Sequence, residues 1–508
     1  MPESRGPLLP RPATSSHPMA QAASVVGGSL VVPSDGSVAV TGITHDSRQV
    51  RPGDLYAALP GSRHHGSSFA AEAAGAGAVA ALTDPAGQEA CGAAGLATLV
   101  VPHPRVVMGD LAAWIYGHPA RRLLTFGVTG TNGKTTVTHL MDGGLRAAGH
   151  TVGLLGTVGT RVADEWLATV RTTPEATEVH ALLGVMVDRG CTAAAMEVSS
   201  HALALGRVDG LAFDVAAFTN LSQDHLDFDP GMEEYYAAKA SLFTPARARA
   251  GVVCVDDAWG RRLAAEADLP IATCSVGGAE AHWRLTDVAL RPDGSTFTVL
   301  GPHGESAEGS VRLPGAFNVA NALVAVASLA AAGVPLPDAV RGVGQVEGVP
   351  GRMERVDLGQ PYLAVVDYAH TPEALETLLA SLRSVTPGRL IVVFGAGGDR
   401  DRGKRPLMGA AAAGAADIVV LTSDNPRSED PLAILAALEE GARGPGGGAL
   451  VRVVPDRQEA IDAATSMAAP GDTVVVAGKG HEQGQESAGQ IRPFDDRVAL
   501  RAAVEANR

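Results

Sequence analysis

A glycine-rich segment in the first third of the chain has the composition of a phosphate-binding loop. Residues 127–136 read GVTGTNGKTT, follow the apolar run 123–128 and precede a helix-like stretch at 134–148. In a strand–loop–helix unit, backbone N–H groups and the helix N-terminus surround phosphate oxygens. Lys134 adds a mobile positive charge and Thr135 a hydroxyl suited to Mg²⁺. The segment therefore predicts nucleotide binding, although Val128 stands where the usual motif has its first glycine.

Acidic and imidazole side chains follow the next predicted strands. Glu197 ends an apolar run that starts at Ala193, and His225 lies in a short stretch with Asp224 and Asp227. A carboxylate at a strand end beyond a phosphate loop suits Mg²⁺. From these residues alone, Glu197 is equally compatible with an ordinary surface acid. The stretch around His225 is equally compatible with a capped helix start.

Lysine is scarce, which draws attention to each position where it occurs. Of 40 basic residues, only Lys134, Lys239, Lys404 and Lys479 are lysines. Such a chain could keep lysine where a compact ammonium or a reactive amine is needed, but chance retention under a codon bias explains any one lysine equally well. Lys239 lies in an amphipathic helical stretch with little other charge, where a lone lysine ordinarily extends to solvent.

Composition limits the classes of function. With 508 residues, we expect about three domains, and 46% hydrophobic residues are enough for large cores. A net charge of −15 and 4% aromatics argue against nucleic-acid binding. Apolar runs are too short to span a membrane. The four cysteines do not have the paired spacing of a metal or redox site, which favours a reducing cytoplasm.

The order of predicted elements indicates an α/β protein of three domains. We expect a flexible tail over 1–37 and a smaller N-terminal α/β domain over 38–119. A central domain at 120–345 should contain the phosphate loop in a mostly parallel sheet, and a Rossmann-like domain should cover 346–508. The glycine-rich stretch 342–351 has the composition of a linker. In the last domain, four apolar strands each precede a polar loop, which predicts a binding rim at their carboxyl ends.

Together these motifs resemble the Mur ligase family of ATP-dependent amide-forming enzymes, in the family's order from about residue 40 to about residue 500. The resemblance implies ATP and two Mg²⁺ ions, with Lys239 carried as a CO₂-derived carbamate. It also implies catalytic and metal-ligating roles for Lys134, Thr135, Glu197, His225 and Lys239. The ATP contacts that it implies are Gly130, Thr131, Asn132, Gly133, Lys134, Thr135, Thr136, Asn318, Asn321, Arg352 and Asp367.

Within the family, the chain is similar to members that extend a UDP-N-acetylmuramoyl dipeptide with 2,6-diaminopimelate. The implied contacts to the UDP-muramoyl dipeptide are His45, Ser47, Ser62, Arg63, His64, Thr172, Thr173, Ser199 and Arg207. Leu205 departs from some relatives, which have glutamine there. The implied contacts to diaminopimelate are Arg400, Asp424, Asn425, Pro426, Arg427, Gly478 and Glu482.

A guanidinium such as that of Arg427 can hold the second carboxylate of diaminopimelate through two hydrogen bonds. Glu482 would then pair with the ammonium of the same head group. The resemblance further implies an acyl-phosphate mechanism, small-molecule partners only, a monomer, and domain closure about hinges near residues 120 and 345.

Other functions remain open at this point. A lysine-adding relative and a folylpolyglutamate-type ligase share the phosphate loop. A P-loop regulatory NTPase is a different class, but none of the four lysines lies in a guanine-reading Asn-Lys-x-Asp motif. A scaffold without catalysis is disfavoured because Lys134, Glu197, His225 and Lys239 occur together.

Overall fold

A computed structural model of the protein describes residues 8–32, 37–167, 171–222, 231–444 and 448–507. These residues form three α/β units in chain order, as expected. No helix within these ranges is both long enough and apolar enough to cross a membrane.

The N-terminal unit is a small sheet covered by helices. Its strands are β1 (His17–Pro18), β2 (Ser29–Val31), β3 (Ala39–Val40), β4 (Gly42–Thr44), β5 (Asp54–Ala57), β6 (Ala80–Thr83) and β7 (Ala97–Val100). Its helices are α1 (Met19–Val26), α2 (Ala70–Gly75), α3 (Gln88–Ala93) and α4 (Pro104–Ile115). The sheet order is β2-β7-β6-β5-β4, parallel except for β2.

The expectation of a flexible tail over 1–37 is wrong for residues 8–32. Strand β2 joins the sheet edge, and Met19 and Ala22 of α1 are fully buried in the core of the unit. Arg11 forms an ion pair with Asp54 at 2.6 Å, and the N–H of Ala13 donates to Asp188 of the central domain at 3.0 Å. These contacts lie far apart in sequence, so composition alone could not indicate them.

The central unit is built on a mixed sheet around the phosphate loop. Its strands are β8 (Leu124–Thr129), β9 (Val152–Gly156), β10 (Gly159–Val162), β11 (Glu165–Leu167), β12 (Ala193–Glu197), β13 (Phe213–Phe218), β14 (Ala248–Cys254), β15 (Ile271–Ser275), β16 (Trp283–Arg291), β17 (Gly294–Leu300) and β18 (Ser306–Val311). Its helices are α5 (Lys134–Ala147), α6 (Ala176–Asp188), α7 (Ser200–Ala204), α8 (Met232–Ala240), α9 (Ala258–Glu266), α10 (Ala316–Ala331) and α11 (Leu336–Gln345).

The order β9-β12-β8-β13-β14-β15-β16 is parallel, and antiparallel hairpins extend both edges. One face of the sheet, with Phe126 and Val128, packs against α5 and α10, and the other, with Phe218, packs against α6 and α8. Parallel strands put their carboxyl ends at one edge. This edge therefore brings the loop after β8 next to Glu197 at the end of β12.

The predicted linker at 342–351 begins later than its composition suggested. Helix α11 continues to Gln345, and Gly342 lies inside it, against Gly143 of α5. A Cβ atom on either glycine would collide with the other helix. These glycines permit close helix packing and are not part of a linker.

The C-terminal unit is the Rossmann-like domain that the sequence predicts. Its strands are β19 (Glu354–Arg355), β20 (Leu363–Asp367), β21 (Leu390–Phe394), β22 (Ile418–Leu421), β23 (Leu450–Val453), β24 (Thr473–Ala477), β25 (Gly484–Ser487) and β26 (Gln490–Pro493). Its helices are α12 (Pro372–Arg383), α13 (Lys404–Ala415), α14 (Pro431–Ala442), α15 (Arg457–Met467) and α16 (Asp496–Ala506). The run β20-β24-β21-β22-β23 is parallel.

The Arg11–Asp54 pair gives a test of the N-terminal packing. The side chain of Asp54 is only 2% exposed, so removing its guanidinium partner leaves a buried carboxylate poorly compensated. We expect Arg11→Ala to lower the free energy of local unfolding by roughly 3 kcal/mol, measured by hydrogen exchange of β5. Arg48→Ala, which breaks a pair whose arginine is 65% exposed, should change it by less than about 1 kcal/mol. If the two variants lowered the free energy of local unfolding by the same small amount, the buried Arg11–Asp54 contact would be contradicted.

Candidate active site

The phosphate loop has the backbone conformation that its glycines permit. Gly130 and Gly133 have φ values of +146° and +90°, which L side chains rarely adopt. A Cβ at Gly130 would also collide with the Thr219 hydroxyl, and one at Gly133 with the Asn321 amide. Lys134 folds back over the loop, its Nζ donating to the carbonyls of Gly130 at 2.7 Å and Thr131 at 2.9 Å.

Glu197 is the polar centre of the site. Its side chain is buried, and Oε2 accepts hydrogen bonds from the hydroxyls of Thr135 at 3.0 Å and Thr157 at 2.9 Å. The N–H of Thr157 donates to Oε1 at 2.8 Å. Nη2 of Arg352, from beyond α11, donates to the Thr135 hydroxyl at 3.3 Å. Thr157 was not predicted, because nothing in its sequence neighbourhood marks it.

The side chain of Lys239 contacts the phosphate loop. Only 1% of this residue is exposed, its Nζ donates to the Gly130 carbonyl at 3.0 Å, and it lies 4.3 Å from the centre of the Tyr235 ring. The alternative in which Lys239 extends to solvent is therefore wrong. The amines of Lys134 and Lys239 meet at one carbonyl oxygen.

The oxygen donors of Thr135 and Glu197 fit a hard cation such as Mg²⁺. His225 lies outside the described residues, as does Asp224. Among the residues that the structure describes, no three His, Cys, Asp or Glu side chains form a metal-binding group. Any Mg²⁺ held here would depend on further oxygen atoms, such as those of phosphate and water.

A pocket of about 370 Å³ opens between the central and C-terminal domains beside the phosphate loop. The predicted nucleotide contacts among its lining residues are Asn132, Gly133, Thr136, Asn318, Asn321, Arg352 and Asp367. The remaining predicted contacts, Gly130, Thr131, Lys134 and Thr135, belong to the loop described above. The structure thus gathers all the predicted nucleotide contacts at one junction.

Asp367 closes this pocket at the end of β20. Its carboxylate accepts hydrogen bonds from the backbone N–H groups of Met353 and Ala369, both at 2.8 Å. Burial raises the pKa of Asp367, and the nearby guanidinium of Arg352 opposes that shift. Arg352 also stacks 4.5 Å from the centre of the Tyr368 ring, which lies 5.3 Å from the His481 ring. Burial lowers the pKa of His481 to about 4, which favours the neutral imidazole at neutral pH.

The residues predicted to contact the dipeptide lie close to Glu197 in the fold. Thr173 donates to the backbone carbonyl of Glu197 at 2.9 Å, and the hydroxyl of Thr172 lies 3.1 Å from that of Thr157. Ser199 accepts from the N–H of Ala202 at the start of α7. Arg207 is 2.9 Å from Glu175 and donates to the Thr173 carbonyl. Thr172, Thr173 and Ser199 thus lie near the same sheet edge as the phosphate loop.

The predicted uridine contacts lie in the N-terminal domain. His45 faces α6, with its Nδ1 3.4 Å from the Thr177 hydroxyl, and burial lowers its pKa. Ser47 donates to Glu72 at 3.3 Å. Ser62, Arg63 and His64 are exposed in the loop after β5. The carbonyl of Leu205 is within hydrogen-bonding distance of Arg105, which pairs with Glu175.

A second pocket, of about 720 Å³, lies at the carboxyl ends of the C-terminal strands. Its lining includes Arg400, Asp424, Asn425, Arg427, Gly478 and Glu482, all predicted to contact one amino-acid substrate. Pro426 belongs to the same loop but is not part of the lining. Lys404, which the sequence left without a role, lies at this pocket and donates to the His370 carbonyl at 3.0 Å.

Arg427 is held in a restricted conformation. Its φ is +53°, its Nη1 donates to the Gly398 carbonyl at 2.7 Å, and its Nε lies 3.5 Å from Glu486. Tyr368, His370 and Thr371 line both pockets. The two pockets therefore adjoin along this segment.

Three family models match consecutive parts of the chain. The model described as "Mur ligase family, catalytic domain" matches residues 39–116, "Mur ligase middle domain" matches 128–329, and "Mur ligase, glutamate ligase domain" matches 351–480.

Comparison with individual proteins indicates the same family. The UDP-N-acetylmuramoyl-L-alanyl-D-glutamate–2,6-diaminopimelate ligase of Streptomyces coelicolor is 59% identical, covering 98% of this chain and 99% of its own. The protein of the same name from Corynebacterium glutamicum is 49% identical over 92% of each chain. A solved structure of a ligase with that name is 35% identical, with a TM-score of 0.66 over 92% of this chain and 95% of its own. The chain therefore belongs to the Mur ligase family.

Proposed function

We propose that the protein is an ATP-dependent ligase that joins 2,6-diaminopimelate to UDP-N-acetylmuramoyl-L-alanyl-D-glutamate, in the synthesis of a cell-wall precursor. The observation that carries this proposal is the second pocket, where six predicted diaminopimelate contacts converge beside the nucleotide pocket. Two relatives at 59% and 49% identity have names that state this reaction. The cytoplasm, where ATP is available, is the proposed location, and a monomer the proposed state.

The pocket chemistry suits a substrate with two amino-acid head groups. Arg427 and Arg400 provide guanidinium groups for a carboxylate, and Glu482 and Asp424 provide carboxylates for an ammonium. L-lysine lacks the second carboxylate, so it would leave Arg427 without a ligand partner. The arginines therefore favour diaminopimelate over lysine.

The proposed reaction has two steps. The D-glutamate carboxylate attacks the γ-phosphorus of ATP, which releases ADP and forms an acyl phosphate. The diaminopimelate amine then attacks the acyl carbon, and the tetrahedral intermediate releases phosphate and leaves an amide. Lys134 and Arg352, both at the Thr135 end of the loop, would bind phosphate oxygens as negative charge builds. The remaining part of the rate acceleration would come from the positioning of the substrates in the two adjoining pockets.

Thr135 and Glu197 would hold Mg²⁺, which supplies charge neutralisation at the phosphates. We propose His225 as a further ligand and Lys239 as a carbamate that supplies two more oxygens. The support for Lys239 is its burial at the Gly130 carbonyl, within the phosphate-loop cluster. A carbamate there would convert a buried cation into a carboxylate-like ligand, which arginine cannot do.

The substrate profile tests the function directly. Phosphate release is measured with ATP, UDP-MurNAc-L-Ala-D-Glu and one amino acid at a time: meso-diaminopimelate, LL-diaminopimelate or L-lysine. We expect turnover with a diaminopimelate isomer and at least about a hundredfold lower kcat/KM with lysine, because lysine lacks the carboxylate that would contact Arg427. Efficient turnover with lysine would overturn the assignment of the amino acid, and no turnover with any of the three would overturn the ligase function.

Lys239 gives a test of the carbamate. Lys239→Arg keeps the positive charge but cannot react with CO₂, so we expect kcat to fall by about a hundredfold or more. Lys239→Ala should regain part of its activity when acetate is added, since a free carboxylate can occupy the place of the carbamate. The control Arg249→Lys changes an arginine that is 70% exposed and should keep full activity. Full activity in Lys239→Arg would rule out a carbamate.

A further inference from the structure

Lys479 is a fully buried cation in the wall of the amino-acid pocket. It follows β24, and its side chain has 0% exposure, although Gly478 and Glu482 of the same loop line the pocket. Its Nζ donates to Asn425 Oδ1 at 3.0 Å and to Glu482 Oε2 at 3.1 Å. A buried ammonium is costly unless a carboxylate and hydrogen-bond acceptors compensate it. The charge of Lys479 is therefore compensated by a residue of the pocket itself.

The three side chains form a closed triangle. Besides the two bonds from Lys479, Asn425 Nδ2 donates to Glu482 Oε2 at 2.9 Å. Asn425 Oδ1 also accepts the backbone N–H of Glu486 at 2.9 Å. The oxygen of the Asn425 amide is thus used twice within the protein. Asn425 therefore connects the loop after β22 with the loop after β24 in the wall of the pocket.

This arrangement determines what Glu482 offers to a ligand. Both hydrogen bonds reach Oε2, and within the described part of the chain Oε1 accepts none. Glu482 nevertheless lines the pocket, with its side chain 34% exposed. One oxygen is therefore anchored in the wall while the other remains for a ligand ammonium.

A second buried cation in the same domain provides a contrast. Arg457 is fully buried and donates to the carbonyls of Ser423 and Ala477, at the starts of the same two loops. Its charge is compensated by Asp496 at 2.7 Å, away from the lining of the pocket. Arg457 therefore has a structural role in holding the two loops. Lys479 differs, because the carboxylate that compensates its charge belongs to Glu482, which lines the pocket.

We propose that Lys479 is a positioning residue for the amino-acid substrate: it holds Glu482 so that Oε1 receives the ammonium of the distal head group of diaminopimelate. The inference rests on the proposed function for the identity of the ligand. The ammonium of Lys479 also offsets part of the negative charge of Glu482, so an isolated amine is bound less well than a head group whose carboxylate reaches Arg427. Lys479 thus contributes to selection of the amino acid without touching it.

The test is steady-state kinetics of Lys479→Met, which keeps most of the length of the side chain and removes its charge and donors. We expect KM for diaminopimelate to rise about tenfold or more, the equivalent of one lost charge-assisted contact. KM for ATP and for UDP-MurNAc-L-Ala-D-Glu should stay within about twofold. Lys479→Gln, which retains a donor, should fall between the wild type and Lys479→Met. The matched control is Arg443→Met, which removes a surface cation paired with Glu439 and should match the wild type.

A double-variant cycle separates positioning from general support of the fold. If Lys479 acts through Glu482, Lys479→Met added to Glu482→Gln should raise KM for diaminopimelate little further than Glu482→Gln alone. Additive effects, or equal rises in KM for all three substrates, would overturn the proposal.

Diaminopimelate binding measured by calorimetry on the same variants provides a readout that does not need turnover. Wild-type protein that binds diaminopimelate without turning over would count against the proposed function and leave the inference testable by affinity. Equal affinity in the wild type and in both Lys479 variants would overturn the inference. Should Lys479→Met not fold, as judged by circular dichroism, the Lys479→Gln variant decides the question in both assays.

Discussion

The carboxylate of Glu197 is buried at the end of β12, and its negative charge has to be compensated where it lies. In the described structure, hydroxyl and N–H groups of Thr135 and Thr157 provide that compensation. Thr135 lies in the first turn of α5, and Thr173 donates to the Glu197 carbonyl, so one acid fixes the phosphate loop relative to the predicted dipeptide contacts. The parallel order β9-β12-β8-β13 makes this possible, because it places these strand ends at one edge.

The C-terminal domain completes the site through a short shared segment. Tyr368, His370 and Thr371 line both pockets, and Arg352 reaches from this side to the Thr135 hydroxyl. The two pockets therefore adjoin along one loop. Such an arrangement suits a reaction in which a phosphoryl group is transferred first and an amine attacks second, because neither substrate has to move between the steps.

The sequence predicted the parts of this structure that depend on local pattern. The phosphate loop, Glu197 at its strand end and the polar loops of the C-terminal domain all follow from apolar runs that end in characteristic residues. Contacts between distant segments could not be predicted in this way. Thr157 has no motif, and the burial of residues 8–32 depends on Asp54 and on the central domain. Gly342 and Lys479 were visible as residue types, but their roles depend on the helix and the loops that they meet.

We infer that ATP activates the D-glutamate carboxylate as an acyl phosphate at this junction of domains. Substrate labelled with ¹⁸O in that carboxylate tests the claim directly, with mass spectrometry of the phosphate released during turnover. We predict that each phosphate carries one oxygen from the labelled carboxylate, because the C–O bond of the acyl phosphate breaks when the amine attacks. Phosphate that contains no label, released together with the amide product, would contradict the account.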